Sequence, residues 1–261
     1  MTSGLRHSSE ARRPIADDLE LVLQVAERVR PDGDDLNAWF DTYRGRHAER
    51  IAHDLALVRR FGSAQARVLD CGATPLLLTA ALRESGYDVV GVDLAPERFA
   101  GALDRLHLQV ARCDIEREPL PFEDSSLELV VFNELFEHLR VDLIFTLSEV
   151  LRILCDDGVL LLSTPNLRSL RGLRNLLTRG EAHAVSGGVY EQYEKLRTLG
   201  HMGHVREYTT VELASFLGRI GFEVREVVYR GGHGRGLVGL VERLLPSWRP
   251  FQTVVARKRA S

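Results

Sequence analysis

From Arg67 onward, short apolar runs alternate with segments of helical periodicity, and this alternation constrains the fold more than any other feature. Val, Leu and Ile concentrate in the runs, as they do in buried strands. Strands that alternate with helices build a mostly parallel sheet with helices on both faces. The sequence therefore predicts an α/β fold with a seven-stranded, mostly parallel sheet. The predicted strands are Arg67–Asp70, Asp88–Val92, Leu108–Cys113, Leu127–Phe132, Val159–Ser163, Phe222–Tyr229 and Phe251–Ala256.

The segments outside this alternation predict the rest of the organisation. Residues 1–14 are polar and rich in Ser and Arg, which predicts a disordered tail. Residues 15–62 carry apolar side chains at helical spacing, which predicts an N-terminal helical cap. The main domain then spans residues 63–261. Within it, residues 167–204 form a predicted helical insertion after the fifth strand.

Composition narrows the class of protein. The chain has 261 residues, of which 44% are hydrophobic, enough for a sizeable core. Its formal net charge of -3 provides no basic excess to neutralise phosphates, which argues against nucleic acid as a partner. Three cysteines without paired spacing, and no apolar run of membrane-spanning length, lead us to expect a cytoplasmic protein. The sequence is compatible with a homodimer.

Three successive predicted strands run into an acidic residue. Asp70 is followed by Gly72 in a tight turn, Asp93 closes the second strand, and Asp114 follows the third. A single acid after a strand is usually a cap or turn former. Three at neighbouring strand ends predict a ligand site at the carboxyl edge of the sheet. A carboxylate such as Asp93 can accept hydrogen bonds from both hydroxyls of a ribose. Asp114 is well placed to accept one from an adenine amino group.

These strand ends resemble those of the class I methyltransferases that use S-adenosylmethionine, which have a Rossmann-like fold. The resemblance extends over the phrases Pro119–Leu127, Leu160–Asn166 and Gly221–Val224. It implies that Asp70 and Gly72 line the methionine end of the cofactor, that Asp93 binds the ribose, and that Asp114 frames the adenine with Ile115. The full predicted cofactor set is Asp70, Gly72, Asp93, Leu94, Asp114, Ile115 and Asn133.

The first loop departs from that family. The family usually carries three glycines there, whereas this chain has Gly72 alone, followed by Ala73, Thr74 and Pro75. The same departure argues against a nicotinamide dehydrogenase, which depends on glycines for the approach of a pyrophosphate.

A Glu-x-x-Glu-His cluster follows the fourth predicted strand. Glu134, Glu137 and His138 would share one face of a helical turn, and two carboxylates with an imidazole suit a divalent ion. The cluster resembles that of the Hen-type small-RNA methyltransferases, and ubiquinone-pathway O-methyltransferases have a similar one. The Hen-type resemblance implies Mg²⁺ or Mn²⁺ held by these three residues and a later histidine, for which we favour His204 over His201. We expect His138 and Glu137 to be catalytic, although a purely structural pair is the alternative.

We therefore predict an S-adenosylmethionine-dependent O-methyltransferase acting on a sugar, glycan or natural-product hydroxyl. Two alternatives remain: a ribose 2′-O-methyltransferase on RNA 3′ ends, and a non-catalytic methyltransferase-like protein. The family resemblance implies that the insertion at 167–204 covers the substrate. In this insertion, Arg168, Arg171 and Arg174 recur at helical spacing. They are either a solvated helix face or a site for a phosphate or carboxylate of the acceptor.

Overall fold

The structure is a computed structural model, and it describes residues 6–9, 16–198, 203–232 and 236–259. The chain divides into two compact units. The first contains Arg12–Val131 and Arg152–Val159; the second contains Phe132–Leu151, Leu160–Ser261 and the N-terminal strand. None of the helices within the described ranges is long and apolar enough to cross a membrane.

The strands form one mixed sheet. Its hydrogen-bonded order is β1-β7-β8-β6-β5-β2-β3-β4, with β8 antiparallel to β7 and with parallel pairing of β1 to β7, β2 to β3, β2 to β5 and β3 to β4. The strands are β1 (Arg6–Ser9), β2 (Arg67–Cys71), β3 (Asp88–Asp93), β4 (Gln109–Arg112), β5 (Leu127–Asn133), β6 (Leu154–Pro165), β7 (Phe222–Arg230) and β8 (Phe251–Lys258).

The helices precede the central strands, lie between the strands and follow β6 and β7. They are α1 (Ala16–Arg28), α2 (Asp34–Phe61), α3 (Leu77–Glu84), α4 (Ala100–Leu106), α5 (Leu143–Ile153), α6 (Leu170–Arg179), α7 (Val189–Thr198), α8 (Thr210–Ile220) and α9 (Leu237–Leu244). The fold prediction is confirmed: a mostly parallel α/β sheet, an N-terminal helical segment and helices after the predicted fifth strand.

In the first unit, parallel strands bring the predicted cofactor residues to one edge. The central strands β2 and β3 are exposed at their first residue and buried along most of the rest, where apolar residues predominate. Their register pairs Asp70 with Gly91, and the next pair of strands aligns Asp93 with Arg112. Gly91 has no room for a side chain, since an added Cβ would lie 2.8 Å from the Cβ of Ala73 in the loop after β2.

In the second unit, local sequence signals set the ends of the helices. Thr209 accepts a hydrogen bond from the amide of Glu212, whose side chain reaches back to the amide of Thr209, so α8 begins with a complete capping box. Ser169 caps α6 by accepting from the amide of Gly172. The same helix ends at Gly180, whose φ of 71° is left-handed.

Two features depart from the sequence predictions. The tail predicted to be disordered contains β1, an eighth strand that pairs in parallel with β7 through Arg6 to Ser9; the rest of residues 1–14 lies outside the described residues. The predicted helical turn for Glu-x-x-Glu-His is a short 3₁₀ turn over Phe136–His138. Glu134 precedes this turn with φ 49°, so it does not share a helical face with Glu137.

Candidate cofactor and metal sites

The loop after β2 is folded back onto the neighbouring strand. The amides of Gly72 and Ala73 both donate to the carbonyl of Val92, at 2.9 and 3.1 Å. Gly72 has φ 74°, a conformation that a glycine adopts without strain. The single glycine retained in this loop therefore stands where the backbone needs it.

Asp70 is a buried carboxyl with one side-chain partner. It is 5% exposed, and its Oδ2 accepts a 2.7 Å hydrogen bond from the hydroxyl of Thr79 on α3. Burial raises the pKa of Asp70 to about 7, although the bond from Thr79 lowers it, and the charges of Asp54 and Asp93 raise it further. Asp70 therefore changes its charge near neutral pH.

The carboxylate of Asp93 is held by backbone and side-chain donors of its own unit. Its Oδ2 accepts from both the amide and the hydroxyl of Thr74, at 3.0 and 2.8 Å. Its Oδ1 accepts from the amide of Ala95 at 2.9 Å. Thr74 thus occupies an oxygen of the residue that we predict to bind the ribose. No periodicity or spacing in the sequence indicates this pairing.

The third acid of the predicted set forms a turn of its own. Asp114 Oδ2 accepts from Nη1 of Arg117 at 2.7 Å, and its Oδ1 accepts from the amide of Glu116 at 3.2 Å. Ile115 beside it is buried, whereas Leu94 after β3 is half-buried. The structure therefore brings Asp70, Asp93 and Asp114, with Leu94 and Ile115, to the carboxyl ends of adjacent parallel strands in the first unit.

Helix α2 carries two charged residues, Arg50 and Asp54, that the sequence analysis did not single out. Asp54 is 1% exposed, and its Oδ2 lies 3.9 Å from Nη1 of Arg50. Arg50 also donates to the hydroxyl of Tyr43 at 2.6 Å. The available signal was the occurrence of Arg50 and Asp54 four residues apart, alternating with the apolar side chains of Ile51 and Leu55.

The last predicted cofactor residue lies at the end of β5, in the second unit. Asn133 is half-buried, and its Oδ1 is buried without a hydrogen-bond partner among the described residues. A buried amide oxygen without a hydrogen-bond partner costs free energy unless a ligand or a water molecule donates a hydrogen bond to it.

The second unit also holds three of the four predicted metal ligands together. Glu137, His138 and His204 each offer a ligand atom, and these atoms all lie within 4.8 Å of one another. The rings of His138 and His204 stand edge to face, with centroids 4.7 Å apart. His201, the alternative considered, lies outside the described residues.

Glu137 has one oxygen bonded and one oxygen without a partner. The residue is 1% exposed, and its Oε2 accepts from the hydroxyl of Thr164 at 2.9 Å. Its Oε1 is buried with no hydrogen-bond partner among the described residues. Burial raises the pKa of Glu137 well above its usual value, and the neighbouring charge of Glu134 raises it further.

The two histidines are oriented differently. Nδ1 of His138 lies 3.0 Å from the carbonyl of Gly203, an arrangement in which Nδ1 carries the proton and Nε2 is a base. Nδ1 of His204 is buried and lies 3.7 Å from Oε1 of Glu207. Burial raises the pKa of Glu207, but hydrogen bonds from His204 and from the amides of Ser186 and Ala184 outweigh it and lower the pKa to about 2.

The fourth predicted ligand is engaged elsewhere in the same unit. Oε1 of Glu134 accepts from Nη2 of Arg230 at 2.5 Å and from the hydroxyl of Ser163 at 2.9 Å. Arg230 is 4% exposed, and its guanidinium lies over the ring of Phe251. Metal coordination by Glu134 would therefore compete with a buried ion pair.

Comparison with known proteins identifies the family. A family model described as a methyltransferase domain matches residues 41–227. No curated protein sequence matches the chain.

Solved structures agree on the fold. A Thermotoga maritima SAM-dependent methyltransferase, described as a possible histamine N-methyltransferase, is 17% identical with a TM-score of 0.56 over 86% of this chain and 97% of that one. The Burkholderia thailandensis 1,6-didemethyltoxoflavin-N1-methyltransferase, with S-adenosylhomocysteine bound, is 18% identical with a TM-score of 0.57 over 96% and 92%. A methyltransferase in complex with the Haloferax volcanii Trm112 activator is 19% identical, with a TM-score of 0.57 over 89% and 100%.

Proposed function

Because the chain belongs to the methyltransferase-domain family and is an S-adenosylmethionine-dependent methyltransferase, we propose that it methylates a hydroxyl oxygen of a sugar, glycan or natural product, assisted by a divalent metal ion. The family is shown by the match over residues 41–227, whereas the oxygen acceptor and the metal are our inference. The observation that carries the proposal is the cluster of Glu137, His138 and His204.

The donor atoms of this cluster fit a cation. Oε1 of Glu137 is buried and has no hydrogen-bond partner among the described residues. A buried unpaired acceptor is costly, and a bound ion would satisfy it. Nδ1 of His204 faces Glu207, which leaves Nε2 as the atom that this imidazole would offer to an ion. One carboxylate with two imidazoles suits a borderline ion better than Mg²⁺, which prefers oxygen ligands. Of the two predicted ions, the donor set therefore favours Mn²⁺.

The neighbouring residues would hold the ligands in place. Thr164 fixes the second oxygen of Glu137, and the carbonyl of Gly203 fixes the tautomer of His138. Glu207 stands behind His204, as a carboxylate behind a metal-bound imidazole does. A metal ion bound here would lower the pKa of an acceptor hydroxyl, which is otherwise a poor nucleophile at neutral pH.

On the cofactor side, Asp93 is the proposed ribose ligand, with Asp70 and Gly72 at the methionine end. S-adenosylmethionine supplies an electrophilic methyl group on a sulfonium, which needs no activation of its leaving group. The protein then has two tasks: alignment of the acceptor oxygen and removal of its proton. If a metal ion is bound, Nε2 of His138 would be one of its ligands and the ion would lower the pKa of the hydroxyl. Without a metal ion, Nε2 of His138 is the proposed general base, with a contribution of about 10²–10⁴-fold.

Manganese binding and methyl transfer, measured separately, test the proposal. The purified chain is treated with a chelator, then titrated with Mn²⁺ and followed by electron paramagnetic resonance. One bound Mn²⁺ is expected, with affinity lost by more than about a hundredfold in Glu137→Gln. Glu20→Gln is the matched control, since Glu20 lies on an exposed face of α1. The same samples are then assayed with a panel of sugar, polyol and amine acceptors.

The outcomes separate the parts of the proposal. Loss of turnover on chelation, with recovery on Mn²⁺ and O-methyl products, supports it in full. Full turnover after chelation removes the metal from the mechanism. Products methylated only on nitrogen would overturn the oxygen assignment and leave the family membership untouched.

A further inference from the structure

Helix α6 does not bury its apolar side. Its fully buried residues are Gly172 and Asn175. Gly172 fits closely against the chain, because an added Cβ would lie 2.0 Å from the carbonyl oxygen of Leu167. Asn175 donates to the carbonyl of His183 at 3.0 Å. A small residue and a hydrogen-bonded amide therefore hold this helix against its flanking segments.

The leucines of α6 are not fully buried. Leu170, Leu173 and Leu177 recur at i, i+3 and i+7, so they form one stripe, and Leu176 lies beside it. Leu170 and Leu173 are half-buried, whereas Leu176 is 50% and Leu177 is 82% exposed. Amphipathic helices of globular proteins normally bury this stripe. Here its C-terminal half is in contact with solvent.

A basic stripe runs alongside the leucines. Arg171 and Arg174 recur three residues apart, one position after Leu170 and Leu173. Arg168 precedes the helix, and Arg179 is its last residue. All four arginines are exposed. No acidic residue occurs from Gly158 to Gly180, although the whole chain has a net charge of -3. The following acid, Glu181, contacts Nε2 of His183 at 3.0 Å. The surface is therefore a local concentration of positive charge.

We propose that the exposed surface around α6, formed by Leu176, Leu177 and the arginines at 168, 171, 174 and 179, docks on an anionic lipid bilayer. A helix with apolar side chains on one face and arginines on the next lies in the interface of a membrane. Three arginines on the helix and a fourth just before it form a basic cluster, which attracts anionic headgroups. Long arginine side chains allow their charges to stay among headgroups while the leucines enter the acyl boundary.

Other occupants account for less of this surface. A second copy docked through the same face would bring two sets of four arginines together, and like charges repel. A phosphate of the acceptor would use one or two arginines and leave the leucines without a role. An acidic peptide would explain the charge but not the apolar stripe.

Vesicle flotation tests the proposal with the full-length chain. Vesicles of phosphatidylcholine with about 30 mol% phosphatidylglycerol are compared with pure phosphatidylcholine. We expect binding to the anionic vesicles only, decreasing strongly between about 50 mM and 500 mM salt because exposed charges are screened. Two double variants address the two stripes: R171Q/R174Q and L176Q/L177Q. Each is expected to weaken binding by at least about tenfold.

Matched controls lie on other helices. Leu23→Gln on α1 replaces a leucine that is also 50% exposed, and Arg219→Gln on α8 removes an exposed arginine. Both should bind vesicles as the unaltered chain does. Circular dichroism verifies that every variant is folded, and the salt dependence of the unaltered chain provides a readout that needs no variant.

Three results would overturn the proposal. The first is no binding of the unaltered chain to anionic vesicles at low salt, and the second is equal binding to neutral and anionic vesicles. The third is binding that L176Q/L177Q leaves unchanged while polyglutamate competes for it, which would identify an acidic partner instead.

Discussion

The hydroxyl of Thr74 donates a 2.8 Å hydrogen bond to Oδ2 of Asp93, and the amide of Thr74 donates to the same oxygen at 3.0 Å. With Ala95 bound to Oδ1, the carboxylate already accepts three hydrogen bonds. A carboxylate has about four acceptor positions in total. If Asp93 binds the cofactor ribose, as we propose, one of the two ribose hydroxyls must displace the Thr74 hydroxyl.

Thr74→Val is therefore expected to bind S-adenosylhomocysteine more tightly, by about two- to tenfold, which corresponds to the net value of one hydrogen bond. The free energy of unfolding should fall by about 1 kcal/mol, because the unliganded protein loses that bond. Calorimetric titration and chemical denaturation measure the two effects, which have opposite signs. Thr74→Ser keeps the hydroxyl and should resemble the unaltered chain. Weaker binding by the valine variant would mean that the hydroxyl positions Asp93 instead of competing for it.

The pKa of Asp70 makes cofactor binding depend on pH. Because burial raises that pKa to about 7, the carboxyl is about half protonated at neutral pH. If the cationic amino group of the methionine moiety binds near Asp70, it favours the charged form and expels the proton. We expect calorimetry in buffers of different ionisation enthalpy to record proton release near pH 7, and affinity to rise between about pH 6 and 8.

Asp70→Asn should abolish the proton release, whereas Asp88→Asn, at an exposed position on β3, should not. The same raised pKa has a consequence for stability. The stabilising contribution of the Asp70 carboxyl is complete below its usual pKa of 3.8 and is lost as the pH rises through about 7. The unaltered chain should therefore lose stability over that interval relative to the asparagine variant. Identical pH profiles for the two proteins would contradict the assignment.

The strand-end acids could be predicted from the sequence because strand length and burial are local properties. Apolar runs ending at Asp70 and Asp93 determine both the strand and the edge to which the acid belongs. The Thr74 bond could not be predicted, because a threonine in a loop has no periodicity and its partner lies 19 residues away. The effect of the buried Asp54, which raises the pKa of Asp70, could not be predicted for a similar reason.

The Glu-x-x-Glu-His spacing shows the limit of local reasoning. Glu137 and His138 lie together because they are consecutive residues, and His204 joins them from a segment more than sixty residues later. Spacing predicted a shared face for Glu134. Its left-handed φ of 49° and its bond to Arg230, 96 residues away, direct the carboxylate elsewhere. Residues that form a long-range ion pair show no periodic pattern in the sequence.

The Glu134–Arg230 pair should stabilise the fold as a unit. Removing one member of a buried ion pair leaves the other charge uncompensated, which is costly. Arg230→Met is therefore expected to lower the free energy of unfolding by about 2–4 kcal/mol, as measured by urea denaturation. The double variant E134Q/R230M should recover more than half of that loss. Arg219→Gln, on an exposed face of α8, should change stability by less than about 0.5 kcal/mol. Additive losses in the double variant would show that the two side chains act independently.

His138 provides the most direct test of the chemistry. If its Nε2 accepts the proton of the acceptor hydroxyl, His138→Ala should lower kcat by about 10²–10⁴-fold while the Kd for S-adenosylhomocysteine changes by less than about threefold. Since the hydrogen bond to Gly203 fixes the ring through Nδ1, His138→Gln retains a polar side chain but no base, and should be as slow as the alanine variant. If added imidazole speeds the reaction of the alanine variant in a pH-dependent way, the variant has lost a base that imidazole replaces. An unchanged kcat in the alanine variant would restrict His138 to a structural role and leave Glu137 as the candidate base.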